Sequence, residues 1–166
     1  YVAYRLIEPI HRLYQNMNIY QRNIEKFDES VILSNRLFNK GCVNCHTFLN
    51  NSPDNMLLHV RFAPEIGMLL VRDGVVDFID SHTPFGGAFM AYSSWHPSGR
   101  AVAYSMNRVT QFFSGSAAEV REVCDLDSDL AVYRFDTRQV VAPPAIADPS
   151  VAESWPEWSP DGRYLY

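Results

Sequence analysis

The sequence predicts a mainly β fold behind an α-helical amino-terminal segment. Three observations carry this. Apolar residues recur at helical spacing in the first forty positions, short apolar runs broken by Pro and Gly follow from about residue 55, and one hairpin-like stretch occurs twice.

Along the chain the helical signal comes first. Leu6, Ile7, Ile10, Leu13, Tyr14 and Met17 stand three and four apart, as on one face of a helix. Pro9 fits the first turn of such a helix or breaks it. A second helix is expected from Asp28 or Ser30, capped by Asp28, with Val31, Ile32, Leu37 and Phe38 as its apolar side. Gly41 should end it at a positive φ. Residues 47–55, TFLNNSPDN, have the composition of a loop.

After that the periodicity changes. MLLHVRF, GMLLVRDG, VVDFID, AVAYSMN, DLAVYRFDT and RYLY are strand-like runs separated by turn residues. SSWHPSGRAVAY and PEWSPDGRYLY align from Trp95 to Trp158, an offset of 63 positions. In each, Pro97 or Pro160 pre-sets φ for a tight turn, and Gly99 or Gly162 supplies the positive-φ position after it. Ser159 and Asp161 can bond to the local backbone.

These two stretches resemble the W-S-P-D-G-[KR] hairpin of TolB-like β-propeller repeats, over roughly residues 85–166. DLAVYRFDTRQV is similar to the outer strands of such a blade. The resemblance implies propeller blades. A propeller needs 4–8 blades of ~40–45 residues, and this chain holds three at most. The expectation is therefore a partial β-propeller from a longer protein. The absence of an initial Met and an end inside a strand-like motif point the same way. Residues 110–128, TQFFSGSAAEVREVCDLDS, should be an insertion looping over one face. The division expected is a helical haem c-binding segment, 1–55, and incomplete blades, 56–166.

The haem expectation rests on residues 41–48, GCVNCHTF. Haem c needs two thiols one helical turn apart for the two vinyl groups and an imidazole next to them for the iron. C-x-x-C-H supplies all three. Cys42 and Cys45 would form the thioethers, and His46 would be the proximal ligand. SNRLFNKGCVNCHTF resembles the start of class I c-type cytochromes, where a helix runs into the motif. The combination of this motif with TolB-like blades is similar to bacterial periplasmic proteins, among them the long subunit of hydrazine synthase. A zinc site would need a second ligand pair, and a thioredoxin-like dithiol would need a βαβ context; neither is visible. The odd cysteine count argues against a disulfide framework. Cys124 reads as a small buried filler.

For the sixth iron ligand the candidates are His59, thirteen positions after His46, and Met56, which would raise the potential relative to bis-histidine. An open position is the third case. Arg61 shares a strand face with His59 and suits a haem propionate. Phe48, Phe62, Tyr92 and Trp95 are candidate porphyrin walls. His82 reads as an exposed loop residue, and His96 as a turn residue packed beside Trp95. His11 lies within the helical stretch. Asp125, Asp127 and Asp129 read as a solvated acidic turn, because an EF-hand's Gly and Glu are missing.

The net charge of −5 and pI near 5.5 leave no basic stripe for nucleic acid. No apolar run reaches the ~18 residues of a membrane span, and no signal peptide is visible. No triad, phosphate loop or carboxylate pair stands out. The function expected is electron transfer by a haem c protein on a propeller scaffold, with another redox protein as partner, in the periplasm or another extracytoplasmic space. The alternatives are a haem subunit of a periplasmic redox enzyme, or a TolB-like interaction module with a structural metal.

Overall fold

A computed structural model describes residues 1–7, 16–62, 65–81, 89–113 and 121–166. Eleven strands form three antiparallel sheets among them. The first holds β1 (Val2–Ile7), β2 (Met17–Arg22) and β3 (Glu29–Ser34) in that order. The second holds β4 (Cys42–Phe48), β5 (Asn55–Phe62), β6 (Glu65–Arg72) and β7 (Val75–Asp80), each paired with the next. The third holds β8 (Phe89–Trp95), β9 (Ala101–Phe113), β10 (Arg121–Arg134) and β11 (Gln139–Val141), also in chain order. A Trp158–Leu165 bridge begins another hairpin.

Among the described residues the fold is all-β, and the expected amino-terminal segment holds strands and no α-helix. Leu6 and Ile7 end β1 and Met17 opens β2. Pro9, Ile10, His11, Leu13 and Tyr14 lie outside the described residues. The second expected helix is β3 followed by a single 3₁₀ turn at Asn35–Phe38. Three-and-four spacing over twelve positions also arises when two strands and their connection each contribute apolar residues. In β3, the Val31-Ile32-Leu33 run suits a pleated surface better than a helix. Gly41 does not hold the positive φ. Asn39 and Lys40 do, at 50° and 60°. Gly41 instead allows close approach: a Cβ there would strike the Arg61 carbonyl oxygen and lie 2.7 Å from Phe62 Cβ.

Two cores separate the sheets. Met56, Leu58 and Val60 of β5 pack with Val43, Leu69, Met17 and Ile19, between the first and second sheets. Leu57, Met68 and Leu70 pack with Trp95, Val102, Tyr104, Met106, Ala131 and Tyr133, between the second and third. β5 thus buries both faces by alternation, which explains why MLLHVRF is almost continuously apolar. Arg72 staples the second core. Its guanidinium lies 5.0 Å from the Phe135 ring centroid and 5.9 Å from that of Trp95, and donates to the Gly99 carbonyl at 3.0 Å.

The expected insertion is in part regular structure. β9 and β10 pair from Ala101↔Arg134 out to Phe113↔Arg121, whereas β8 accompanies β9 only as far as Phe89↔Asn107. The far ends form a two-stranded ribbon. Asp125, Asp127 and Asp129 lie on β10, beside a bulge between Asp125 and Asp127, and not in a turn. Cys124 is exposed on this ribbon, not buried.

Candidate functional site: the C-x-x-C-H strand

The motif lies on β4, not after a helix. β4 pairs with β5 as Cys42↔Arg61, Val43↔Val60, Asn44↔His59, Thr47↔Leu57 and Phe48↔Met56. The ladder therefore crosses the expected boundary at 55/56. Cys45 and His46 together fill the one place opposite Leu58, which is a β-bulge. Cys45 carries the distortion at φ 49°, a left-handed conformation costly for any residue with a Cβ.

The bulge fans out the motif's side chains. Cys42 is 8% exposed, and the Arg61 guanidinium donates toward its sulfur at 3.5 Å. The Cys45 thiol takes a hydrogen bond from the Tyr92 backbone in β8; burial nonetheless pushes its pKa up, with the charges of Arg5 and Arg61 opposing. His46 turns to the other neighbour, where its Nε2–H donates to the Ala3 carbonyl of β1 at 3.2 Å. All three cysteines are unpaired thiols. Among the described residues, no three His, Cys, Asp or Glu side chains converge as a metal cluster.

The structure does not bring His59 to His46. His59 is 2% exposed and faces the third sheet, with Nε2 2.9 Å from Ser93 Oγ. Burial lowers its pKa to about 4, the Arg61 charge adds to this and the Met90 backbone opposes it, so the ring is neutral. Met56 points the other way, packed in the first core at 6% exposure. Arg61 does share the side of Cys42 and His59, as the strand spacing implies. Of the aromatic candidates, Phe48 flanks the first core. Phe62 packs on Phe38 and Phe78. Trp95 is buried against Phe135. His82 lies outside the described residues. His96 packs on Trp158, not Trp95, at 4.8 Å.

Tyr92 is different, and it exposes a pattern. Cys45, Tyr92 and Trp155 stand three positions before Phe48, Trp95 and Trp158, and all three have positive φ: 49°, 44° and 60°. The strand bearing Tyr92 is bulged in the same place, between Ala91 and Ser94. The C-x-x-C-H strand is thus a third copy of the repeated hairpin. SPDN at 52–55 is the signal that could have found it, since Pro53 and Pro97 are one blade period apart.

Among solved structures, the chain is similar to TolB from Acinetobacter baumannii over 98% of its length, with a TM-score of 0.60 and 15% identity. The chain adopts a TolB-like β-propeller fold. It spans 34% of the length of that TolB chain. No family model matches the sequence, and neither does any curated protein. The second and third sheets each hold four strands in chain order, as propeller blades do, and their first strands, β4 and β8, touch through Cys45 and Tyr92. Cys45, Tyr92 and Trp155 then occupy equivalent positions in successive repeats, with Tyr92 in contact with both of the others. Among the described residues, no helix is long and apolar enough to cross a membrane.

Proposed function

We propose that this chain is the haem c-carrying part of a TolB-like propeller protein that transfers electrons in an extracytoplasmic compartment. Cys42 and Cys45 would hold the group through thioethers, and His46 would ligate its iron. When bound, the group supplies a one-electron couple whose potential depends on its axial ligands and its exposure. The observation that carries the reading is the C-x-x-C-H motif itself, set across a bulge in β4 with neither cysteine in a disulfide.

The donor set fits. Two thiols and an imidazole lie within five residues, and a guanidinium suited to a propionate sits beside Cys42. In the structure the thiols and the imidazole meet different neighbours, so binding would require His46 to release the Ala3 carbonyl. His59 stays a neutral core residue bonded to Ser93 in this reading. The redox partner would be another protein.

The test is a reduced pyridine haemochrome spectrum. The protein is produced with haem c maturation machinery, beside a Cys42→Ala, Cys45→Ala control. A c-type band that resists acid-acetone extraction and is missing from the control is expected. No band would overturn the reading and leave a propeller scaffold. Rapid CO binding by the ferrous form would favour a catalytic haem subunit over a pure electron carrier.

A further inference from the structure

The outer strands of the second and third sheets enclose a cleft that the haem reading does not use. It holds about 330 Å³, at the lower end of the range for small-ligand sites. Each sheet that walls it has all four strands of a blade, so the cleft lies between two whole blades. The C-x-x-C-H motif is on β4, whereas the cleft is formed by β6, β7, the end of β10 and the turn into β11.

The two walls differ in charge. On the β7 side stand the carboxylates of Asp77 and Asp80, beside the apolar side chains of Leu70 and Ile79. On the third-sheet side stand Tyr133, Phe135 and the guanidinium of Arg138. Arg72 also lines the cleft, but its guanidinium is taken by the Gly99 carbonyl and the Phe135 and Trp95 rings. The cation left for a ligand is that of Arg138.

Tyr133 is the informative residue. It is 6% exposed and lines the cleft, and among the described residues its hydroxyl has no hydrogen-bond partner. Burial pushes its pKa up, with Arg138 opposing and Asp77 adding, so the hydroxyl keeps its proton at neutral pH. Both charges therefore lie close to it. Even so, among the described residues Asp77 and Arg138 form no ion pair with each other. A phenol donor without an acceptor, with opposite charges held apart beside it, is completed by a ligand that carries both an anionic and a cationic group.

We propose that this cleft binds a free amino acid with an aliphatic side chain. The ligand's carboxylate meets Arg138 and the Tyr133 hydroxyl, its ammonium meets Asp77, and its side chain lies on Leu70 and Ile79. Asp80 adds to the negative wall. A purely anionic ligand would face the two carboxylates, and a purely cationic one would face Arg138, so the walls select a zwitterion.

The test is calorimetric titration of the chain with L-leucine, beside leucinamide, which lacks the carboxylate, and isocaproate, which lacks the ammonium. Saturable one-site binding of leucine is expected, with each analogue about tenfold weaker or more, because each loses a charged hydrogen bond. Arg138→Gln and Asp77→Asn should each weaken leucine binding about tenfold, and Tyr133→Phe by a smaller factor. Tyr133→Phe keeps the ring that packs on Phe135, and circular dichroism checks that each variant is folded. Arg108→Gln, an exposed guanidinium outside the cleft, is the control. No saturable leucine binding up to about 10 mM would overturn the proposal. So would an analogue that binds as tightly as leucine, or binding indifferent to both Arg138→Gln and Asp77→Asn. None of these residues belongs to C-x-x-C-H, so a failed haemochrome test leaves the cleft untouched, and an empty titration leaves the haem reading untouched.

Discussion

His96 reaches from one hairpin turn into the next and closes on Gly162. Its Nε2–H donates to the Gly162 carbonyl at 3.0 Å, while Nδ1 accepts from Ser98, whose Oγ is 2.7 Å away. A Cβ at Gly162 would lie 2.6 Å from that Nε2. Gly162 also sits at φ 70°. Two costs coincide at one position, a conformational one and a steric one.

Gly162→Ala should therefore destabilise the protein more than Gly74→Ala. Gly74 has φ 79° but nothing within 4 Å of a new Cβ. The Gly74 change isolates the conformational cost, about 1–2 kcal/mol. The Gly162 change should add roughly another 1 kcal/mol from overpacking. Urea unfolding of both variants measures the difference. Adding His96→Ala should remove the excess at Gly162 and leave the conformational part.

Cys45→Gly is expected to stabilise the haem-free protein by about 1 kcal/mol, because glycine adopts the bulge's positive φ without strain. The same variant should lose covalent haem. Denaturant midpoints of the haem-free proteins decide the first point. A lower midpoint would mean that the thiol's packing outweighs its backbone strain.

His59 should make the protein acid-sensitive. Its folded pKa of about 4 lies below the ordinary 6.5. Between those values the unfolded chain binds a proton that the folded chain refuses. Stability from this group is thus fully present above pH 6.5, falls as the pH drops, and levels off below about 4. The total is on the order of 3 kcal/mol. His59→Gln removes the titration and retains a partner for Ser93. Unfolding free energies measured from pH 4 to 7.5 should show a shallower slope for the variant than for the wild type.

Arg72→Lys should cost about 1–2 kcal/mol, because an ammonium cannot lie over both the Phe135 and Trp95 rings while donating to the Gly99 carbonyl. Arg134→Lys is the comparison. Its 2.9 Å pair with Asp136 is about half exposed at both ends, so solvent screens it and the substitution should change stability far less. Thermal or urea unfolding of the two variants gives the contrast between a guanidinium that joins two blades and one that decorates a surface.

The sequence by itself determined the hairpins at Trp95 and Trp158, the β character after residue 55, and the donor set of C-x-x-C-H. Turn chemistry and motif spacing are local, so proline, glycine and the Ser159–Asp161 bond announce themselves in a short window. It misread the first forty residues, because apolar spacing over a dozen positions does not by itself tell a helix from the ends of two strands and their connection. It missed the third hairpin copy, because Asn50 and Asn51 carry positive φ and three extra residues lengthen that turn. Only the tertiary structure decided which face each histidine takes. His46 and His59 diverge because one bulge puts Cys45 and His46 opposite Leu58. Only the stacking of blades brings Cys45, Tyr92 and Trp155, each from a different repeat, together. That closeness depends on how sheets pack across more than a hundred residues, and no local pattern encodes it.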